Sequence, residues 1–519
     1  MNTADHVDRR AAQAPSTIAL VDGTSRLTWH DVARRSRRLA AALVGAGLPR
    51  AAVVYTQLPS TVELFLLRLA CERAGLKLVT VPPAFRHAEV TRLVAATQPA
   101  LAVVAGTWRG TDFRALLAAA AGTLRVLSLA RWDAGARDTL EALEAGAPDD
   151  TARALAGRAY GAGDTSQLGT TSGSTGAPKL VEVTIGARLR TAAAQVERYR
   201  VGADDVVLAL TPLITGTADA LGYHGAPQLG FRLVLTEHFD AERAAEAILA
   251  HGATVVIGVP TMAMRLMTAA ATARIPRGAV RIYCSHGAVL PRPAAEALEA
   301  RLGCRVMQAY GTFEYGGICA TARDDPDDVR LGTVGRPLDG NEMVVLDDAG
   351  TPVPPGTVGR LHVRGAHANA GYWRAPELTR AAWRHGYFDL MEVGRQDARG
   401  NVTIVGRARD LIIRGGQNIF PAEIEELIAR HPSVAEASVV GLPDATLGEI
   451  ACACVVRRAG TTLTGDVLRA FLSTQGTAAF KLPERVEFFD RLPTLAIGHK
   501  IDKQQLVAQL LHRRGAAAE

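Results

Sequence analysis

Aromatic residues are scarce: Phe, Tyr and Trp together make up 5% of the 519 residues. No Lys/Arg run is flanked by stacking rings, which argues against a groove for nucleic acid. Cysteine is almost as sparse. The six thiols (Cys71, Cys284, Cys304, Cys319, Cys452 and Cys454) form no C-x-x-C pair. Neither a zinc site nor a disulfide framework is indicated, and reduced, buried thiols are expected. An excess of one charge is missing too. The 58 basic and 52 acidic residues leave +6, which suits anionic small molecules without requiring a polyanion. No uncharged apolar run reaches bilayer length without a Gly, Pro or Asp break. The opening Met-Asn-Thr-Ala-Asp-His lacks the charged-then-apolar pattern of an export signal. The expectation is a soluble, cytoplasmic protein with neither nucleic-acid nor membrane partners.

What is present is a long, ordinary globular composition, 48% hydrophobic and 21% charged. A chain of this length exceeds the size at which one core keeps growing, so two or more domains are expected. Thr28 with Asp31 predicts a capped helix whose apolar face carries Ala33, Leu39, Ala42 and Leu43. Short apolar runs at 52–55, 76–81, 101–104 and 124–129 alternate with helical periodicity at 62–73, 87–97 and 113–120. The same rhythm returns at 206–210, 233–235, 255–258, 282–284 and 306–309, with helices at 241–250 and 294–302. Alternating strands and helices argue an α/β fold with doubly wound, mostly parallel sheets. Residues 133–164 read as connecting material. From 332 to 364 short strands with Gly and Pro turns predict a small β-roll. A third texture begins near 406, with a helix at 422–430, paired strands at 436–441 and 449–456, and a helix at 466–473. It has the size of a small α+β domain.

One stretch stands apart, Gly-Thr-Thr-Ser-Gly-Ser-Thr-Gly-Ala-Pro-Lys at 169–179. Its glycines let backbone N–H groups approach a ligand closely. Thr170, Thr171, Ser172, Ser174 and Thr175 add hydroxyls, and Lys179 adds a point charge. That chemistry suits an oligophosphate. It is not a Walker A loop, because Leu180 follows the lysine where Ser or Thr would hold Mg²⁺. By itself the stretch reads equally well as a polar surface loop.

Three further segments follow in order: Tyr310-Gly-Thr-Phe-Glu314, Gly406-Arg-Ala-Arg-Asp410, and the run from Gly415 to Glu425. Gly498-His-Lys500 closes the set. Over essentially its whole length the chain resembles the adenylate-forming enzymes, which include acyl-CoA synthetases, nonribosomal peptide adenylation domains and luciferases. Within them it looks most like the stand-alone aryl-acid AMP ligases. The resemblance implies a large N-terminal domain, 1–408, and a small mobile C-terminal domain, 409–519. It implies ATP and Mg²⁺ as cofactors, with CoA or a pantetheine-bearing carrier protein as a further partner. An acid would become a mixed anhydride with AMP, pyrophosphate would leave, and a thiol or amine would displace AMP.

The same resemblance assigns roles. Thr171, Ser172, Gly173, Ser174, Thr175 and Gly176, with Lys179, would cradle the phosphates. Tyr310 would stack on adenine, beside Gly311 and Thr312, and Glu314 would help hold Mg²⁺. Glu392 and Arg407 would bind ribose. Lys500 would neutralise charge developing at the α-phosphate, where cations contribute most. Arg409 would be the hinge and Gly416 would line the acceptor channel. Taken singly, each residue has an ordinary structural explanation; their joint order does not.

Four departures gather at the acid and nucleotide end. Leu390-Met391-Glu392 replaces the family's Thr-Gly-Asp, with Asp389 a poorer substitute for the aspartate. Phe313 replaces a threonine near the α-phosphate. Thr215 and Gly216 stand where a His or aromatic gate and an asparagine are usual. Ser285-His286-Gly287 replaces a glycine-rich pocket floor. An imidazole at position 286 takes up volume and adds a switchable donor, if it points inward. Three readings follow: ligation of a small aryl or short carboxylic acid; a diazotase that adenylates nitrite and diazotises an aromatic amine; or a non-catalytic nucleotide binder.

Overall fold

The computed structural model describes residues 1–170, 179–407, 410–414, 417–444, 446–475, 479–494 and 501–516, with backbone alone at 407, 413, 418 and 514–516. Thr28 caps the Trp29–Gly45 helix: its hydroxyl accepts from Asp31 N, and the Asp31 carboxylate accepts from Thr28 N. This capping box fixes the helix start and buries Trp29 completely. The Val62–Ala74 helix is buried on every side, so it runs through the interior instead of covering it.

Two sheets organise most of the chain. In one, six parallel strands run in the order Arg305–Thr312, Ile282–His286, Val255–Gly258, Val206–Ala209, Arg232–Leu235, Ile18–Val21. Antiparallel strands flank both edges and bring the sheet to nine. The other sheet sets five parallel strands in the order Thr165–Thr170, Lys77–Thr80, Val53–Gln57, Leu101–Val104, Val126–Ser128, with Leu180–Thr184 and Gly371–Tyr372 antiparallel at one edge. Inner strands such as Leu101–Val104 and Val255–Gly258 are near-continuous apolar runs, as strands covered on both faces require.

A five-stranded antiparallel sheet follows, built on Asn341–Leu346, Gly359–Gly365 and Tyr387–Gln396. Val402–Arg407 pairs with Tyr387–Gln396 and closes this sheet. The last sheet pairs Val434–Asp444 with Gly448–Arg457 under the Pro421–Ala429 and Gly465–Thr474 helices. Residues 133–164 are not plain connection: Thr139 and Asp150 cap two short helices, Leu140–Ala145 and Thr151–Leu155. The α/β class and the doubly wound parallel core agree with the sequence reading.

A buried polar network stitches the two large sheets together. Arg68 donates to the Leu213 carbonyl at 2.8 Å and to Asp219 Oδ1 at 2.6 Å. Gln167 donates to Thr80 Oγ1 and to the Ile214 carbonyl. Glu72 accepts from the Tyr223 hydroxyl at 3.0 Å. Burial pushes the Glu72 carboxyl up to about 7, against the opposing pull of Arg68. Between its ordinary range and about pH 7 the folded chain therefore binds more protons than the unfolded one, and stability is lost as pH rises. Glu72→Gln, which keeps the tyrosine's acceptor, should match the wild type near pH 5. It should exceed it near pH 8 by on the order of 2 kcal/mol, read by urea unfolding at both pH values. An equal gap at both would refute the assignment.

Candidate active site

The parallel strands of both sheets end at one place. In the nine-stranded sheet, His286 closes its strand in register with Ala309, one residue before Tyr310. The 211–216 segment follows the Val206–Ala209 strand. From the seven-stranded sheet, Gly169 lies near the end of the Thr165–Thr170 strand. The carboxyl ends of parallel strands are where open α/β sheets bind ligands, because loops there diverge and leave a crevice.

His286 points into this crevice. Its Nε2 lies 3.3 Å from Thr211 Oγ1 and the side chain is buried. Gly216 faces the ring at φ +55°, and a Cβ there would sit 2.8 Å from His286 Cε1. Gly216 is therefore glycine for two reasons, a left-handed backbone and a ring that fills its side-chain space. Thr215 turns its hydroxyl back to the Pro212 carbonyl at 3.3 Å, and its own carbonyl accepts from Asp219 N. Gly287 takes φ +83°. Thr215, Gly216, His286 and Gly287 thus form one wall.

Phe313 forms the next. Its ring lies on Gly169, where a Cβ would meet Phe313 Cε1 at 1.9 Å, so a side chain at 169 and this ring exclude one another. Asn369 Nδ2 donates to the Phe313 carbonyl at 2.8 Å, and Thr312 Oγ1 accepts from Tyr315 N. Half-buried Tyr310 pairs with Cys319 across the strands, and Gly311 with Gly317.

Glu314 lines a recess with Asn369, Tyr372 and Trp383. Burial, and then the Glu314 charge, push the Tyr372 hydroxyl up to about 12, so that phenol stays protonated. Lys179 holds its ammonium 5.3 Å from the centre of the Tyr372 ring. Lys179, Glu314 and Tyr372 therefore share one corner. Glu392 and Arg407 stand directly opposite one another in the antiparallel pair of Tyr387–Gln396 and Val402–Arg407. Asp389 is committed elsewhere, accepting from Met391 N and lying near His362 and Arg384. Thr171, Ser172, Gly173, Ser174, Thr175, Gly176, Arg409, Gly416 and Lys500, with the Arg407 side chain, lie outside the described residues.

Behind the wall is a group that sequence reading missed. Arg188, on the Ile185–Tyr199 helix, is buried, with Nε 3.0 Å from Asp219 Oδ2. Its guanidinium carbon lies 5.3 Å from the centre of the Phe313 ring. Asp219 therefore faces two arginines, Arg68 and Arg188. The available signal was Arg68 itself, a cation inside the apolar run Phe65-Leu-Leu-Arg-Leu69.

The architecture is that of a nucleotide-activating enzyme with a crevice at the carboxyl ends of its parallel strands. The chain belongs to the AMP-binding enzyme family, whose model matches residues 7–373, with the AMP-binding enzyme C-terminal domain matching 423–498. It is an adenylate-forming enzyme of an ATP-dependent family. It is 35% identical to a salicylyl-CoA synthase / salicylate adenylyltransferase of a Streptomyces species, over 94% of this chain and 90% of that one. It is 30% identical to the 2,3-dihydroxybenzoate-AMP ligase of Bacillus subtilis, over 96% and 91%. Among solved structures it is similar to ATP-bound MatB from Rhodopseudomonas palustris, with TM-score 0.87 and 28% identity over 98% and 99% of the chains. The amide bond synthetase McbA from Marinactinospora thermotolerans gives TM-score 0.85 and 28% identity over 98% and 100%. No helix among the described residues is long and apolar enough to cross a membrane.

The packing of Gly216 against His286 makes a double-mutant test direct. Gly216→Ala should cost about 1–2 kcal/mol for the left-handed backbone alone, and more for displacing the ring. His286→Gly in the same chain should recover the second part only, measured by chemical unfolding. Strictly additive effects would show that the two do not touch.

Proposed function

We propose that the enzyme adenylates a small acid with ATP, releases pyrophosphate, and passes the activated group to a thiol or amine. The observation that carries this is the inward, buried His286 against Thr211 and Gly216, a polar floor that shortens the acid pocket while the nucleotide residues are retained. Similarity to salicylate and dihydroxybenzoate enzymes supports an aryl acid, and similarity to an amide bond synthetase supports an amine as acceptor.

In this reading the 171–176 loop and Lys179 receive the β- and γ-phosphates. Tyr310, Gly311 and Thr312 hold the adenine, and Glu392 with Arg407 hold the ribose. A magnesium ion keeps most of its waters and takes phosphate oxygens, so one protein carboxylate suffices, and the half-buried Glu314 beside Lys179 fits that need. The ion would neutralise phosphate charge. Among the described residues there is no cluster of three His, Cys, Asp or Glu side chains to form an all-protein cage. Lys500, carried on a domain from 409 onward that turns about Arg409, would supply the cation at the α-phosphate during adenylation. Gly416 would line the acceptor path in the second step.

The filled pocket also favours a second reading. Phe313 and His286 each put a ring into the crevice, against Gly169 and Gly216, and a reduced acid pocket suits nitrite as the oxyanion and an aromatic amine as the acceptor.

ATP–pyrophosphate exchange over benzoates, short carboxylates and nitrite tests both. The wild type should exchange with one class and form AMP, never ADP, while Lys500→Ala should lose at least about 100-fold, the cost typical of deleting one transition-state donor. Dependence on nitrite selects the second reading, dependence on an aryl acid the first. ADP and orthophosphate as products would end both.

A further inference from the structure

Met391 has a left-handed backbone, with φ +55°. There the Cβ of an L-residue crowds its own backbone, a clash that glycine escapes. Six other non-glycine residues share this region, and among the described residues Met391 alone lies inside a strand, Tyr387–Gln396. Packing does not hold it there, because its side chain is 54% exposed.

The backbone at Met391 is the crest of a bulge. Asp389 pairs with His362 and Val393 with Arg360, so Leu390, Met391 and Glu392 together stand opposite Leu361 alone. Both feet are anchored in the interior, by buried Phe388 and Leu390 before the crest and by buried Val393 after it. Glu392 follows the crest directly, half-buried and paired with Arg407 of the neighbouring strand. Bulges of this kind re-aim a side chain and recur beside active sites.

One hydrogen bond closes the crest: Asp389 Oδ1 accepts from Met391 N at 2.8 Å. An aspartate that accepts from the N–H two residues on steadies a tight turn locally. Asp389 is buried, and burying a carboxylate is costly unless it is hydrogen-bonded. Its other partners are distant. Arg384 Nε and His362 Nε2 stand 3.9 and 4.0 Å away, and Oδ2 has no hydrogen-bond partner among the described residues. The Met391 amide is thus what this carboxylate grips.

We propose that Asp389 is a positioning residue for nucleotide binding: by holding Met391 in its left-handed turn, it fixes the bulge that aims the Glu392 carboxylate at the ribose hydroxyls. This rests on the ribose role of Glu392 given above. Asp389 itself touches no ligand. A carboxylate only accepts and a ribose hydroxyl can donate, so what the bulge controls is the preference for ATP over its deoxy analogues.

The test is titration calorimetry on the full chain with Mg²⁺ and ATP, 2′-deoxy-ATP or 3′-deoxy-ATP, which needs no acid. The wild type should bind ATP about 10-fold more tightly than the analogues, the effect of one hydrogen bond to a charged group. Glu392→Ala should remove that preference. Asp389→Ala should remove it too, while Asp389→Asn, whose Oδ1 still accepts from Met391 N, should keep it. The double variant Asp389→Ala/Met391→Gly should regain it, because glycine takes the left-handed turn unaided. A carboxylate that served only the fold would weaken all three nucleotides alike and gain nothing from the glycine. Should Asp389→Ala fail to fold, Asp389→Leu fills the same space and takes its place in both variants. A preference lost in Glu392→Ala but kept in Asp389→Ala would overturn the proposal and leave Glu392 on the ribose. So would a preference lost in Asp389→Ala and not regained in the double variant. A wild type without preference, or a Glu392→Ala that keeps it, would end the ribose assignment and this proposal together.

Discussion

The carboxylate of Asp219 is the constraint on which the pocket depends. It sits on a π-helical segment, Ala218–Gly225, whose start follows the pocket wall directly. π-Helical turns widen the backbone and tend to occur at functional sites. Withdrawing one carboxylate from water costs several kcal/mol unless it is matched, and here two arginines from two different helices do the matching. The consequence is positional. Arg68 grips both Asp219 and the carbonyl of Leu213, and Asp219 N holds the carbonyl of Thr215. Gln167 also donates to the Ile214 carbonyl, so the 213–219 segment is tied at three points to the interior. The site's shape is set from behind, by buried charges.

In front of that scaffold, large and small residues are exchanged in pairs. His286 gains its place because Gly216 has no side chain, and Phe313 because Gly169 has none. In each pair a bare glycine leaves the space that a ring fills, as a close-packed interior requires. Lys179, Glu314 and Tyr372 share another corner of the crevice.

The sequence carried the elements with strong periodicity almost to the residue. The helix at 87–97 and the strands at 101–104 and 255–258 stand as read, because their apolar spacing answers only to local burial. The family was equally legible, since its ordered motifs stand at fixed places along the chain and the AMP-binding enzyme models match it. Less legible were features that depend on a distant partner. The Leu140–Ala145 and Thr151–Leu155 helices are too short to show a period, and form because Thr139 and Asp150 cap them. The orientation of His286 depends on Thr211, 75 positions away. Arg188 was the hardest. Arginines on an amphipathic helix read as a solvated face, and only the fold turns this one inward onto Asp219.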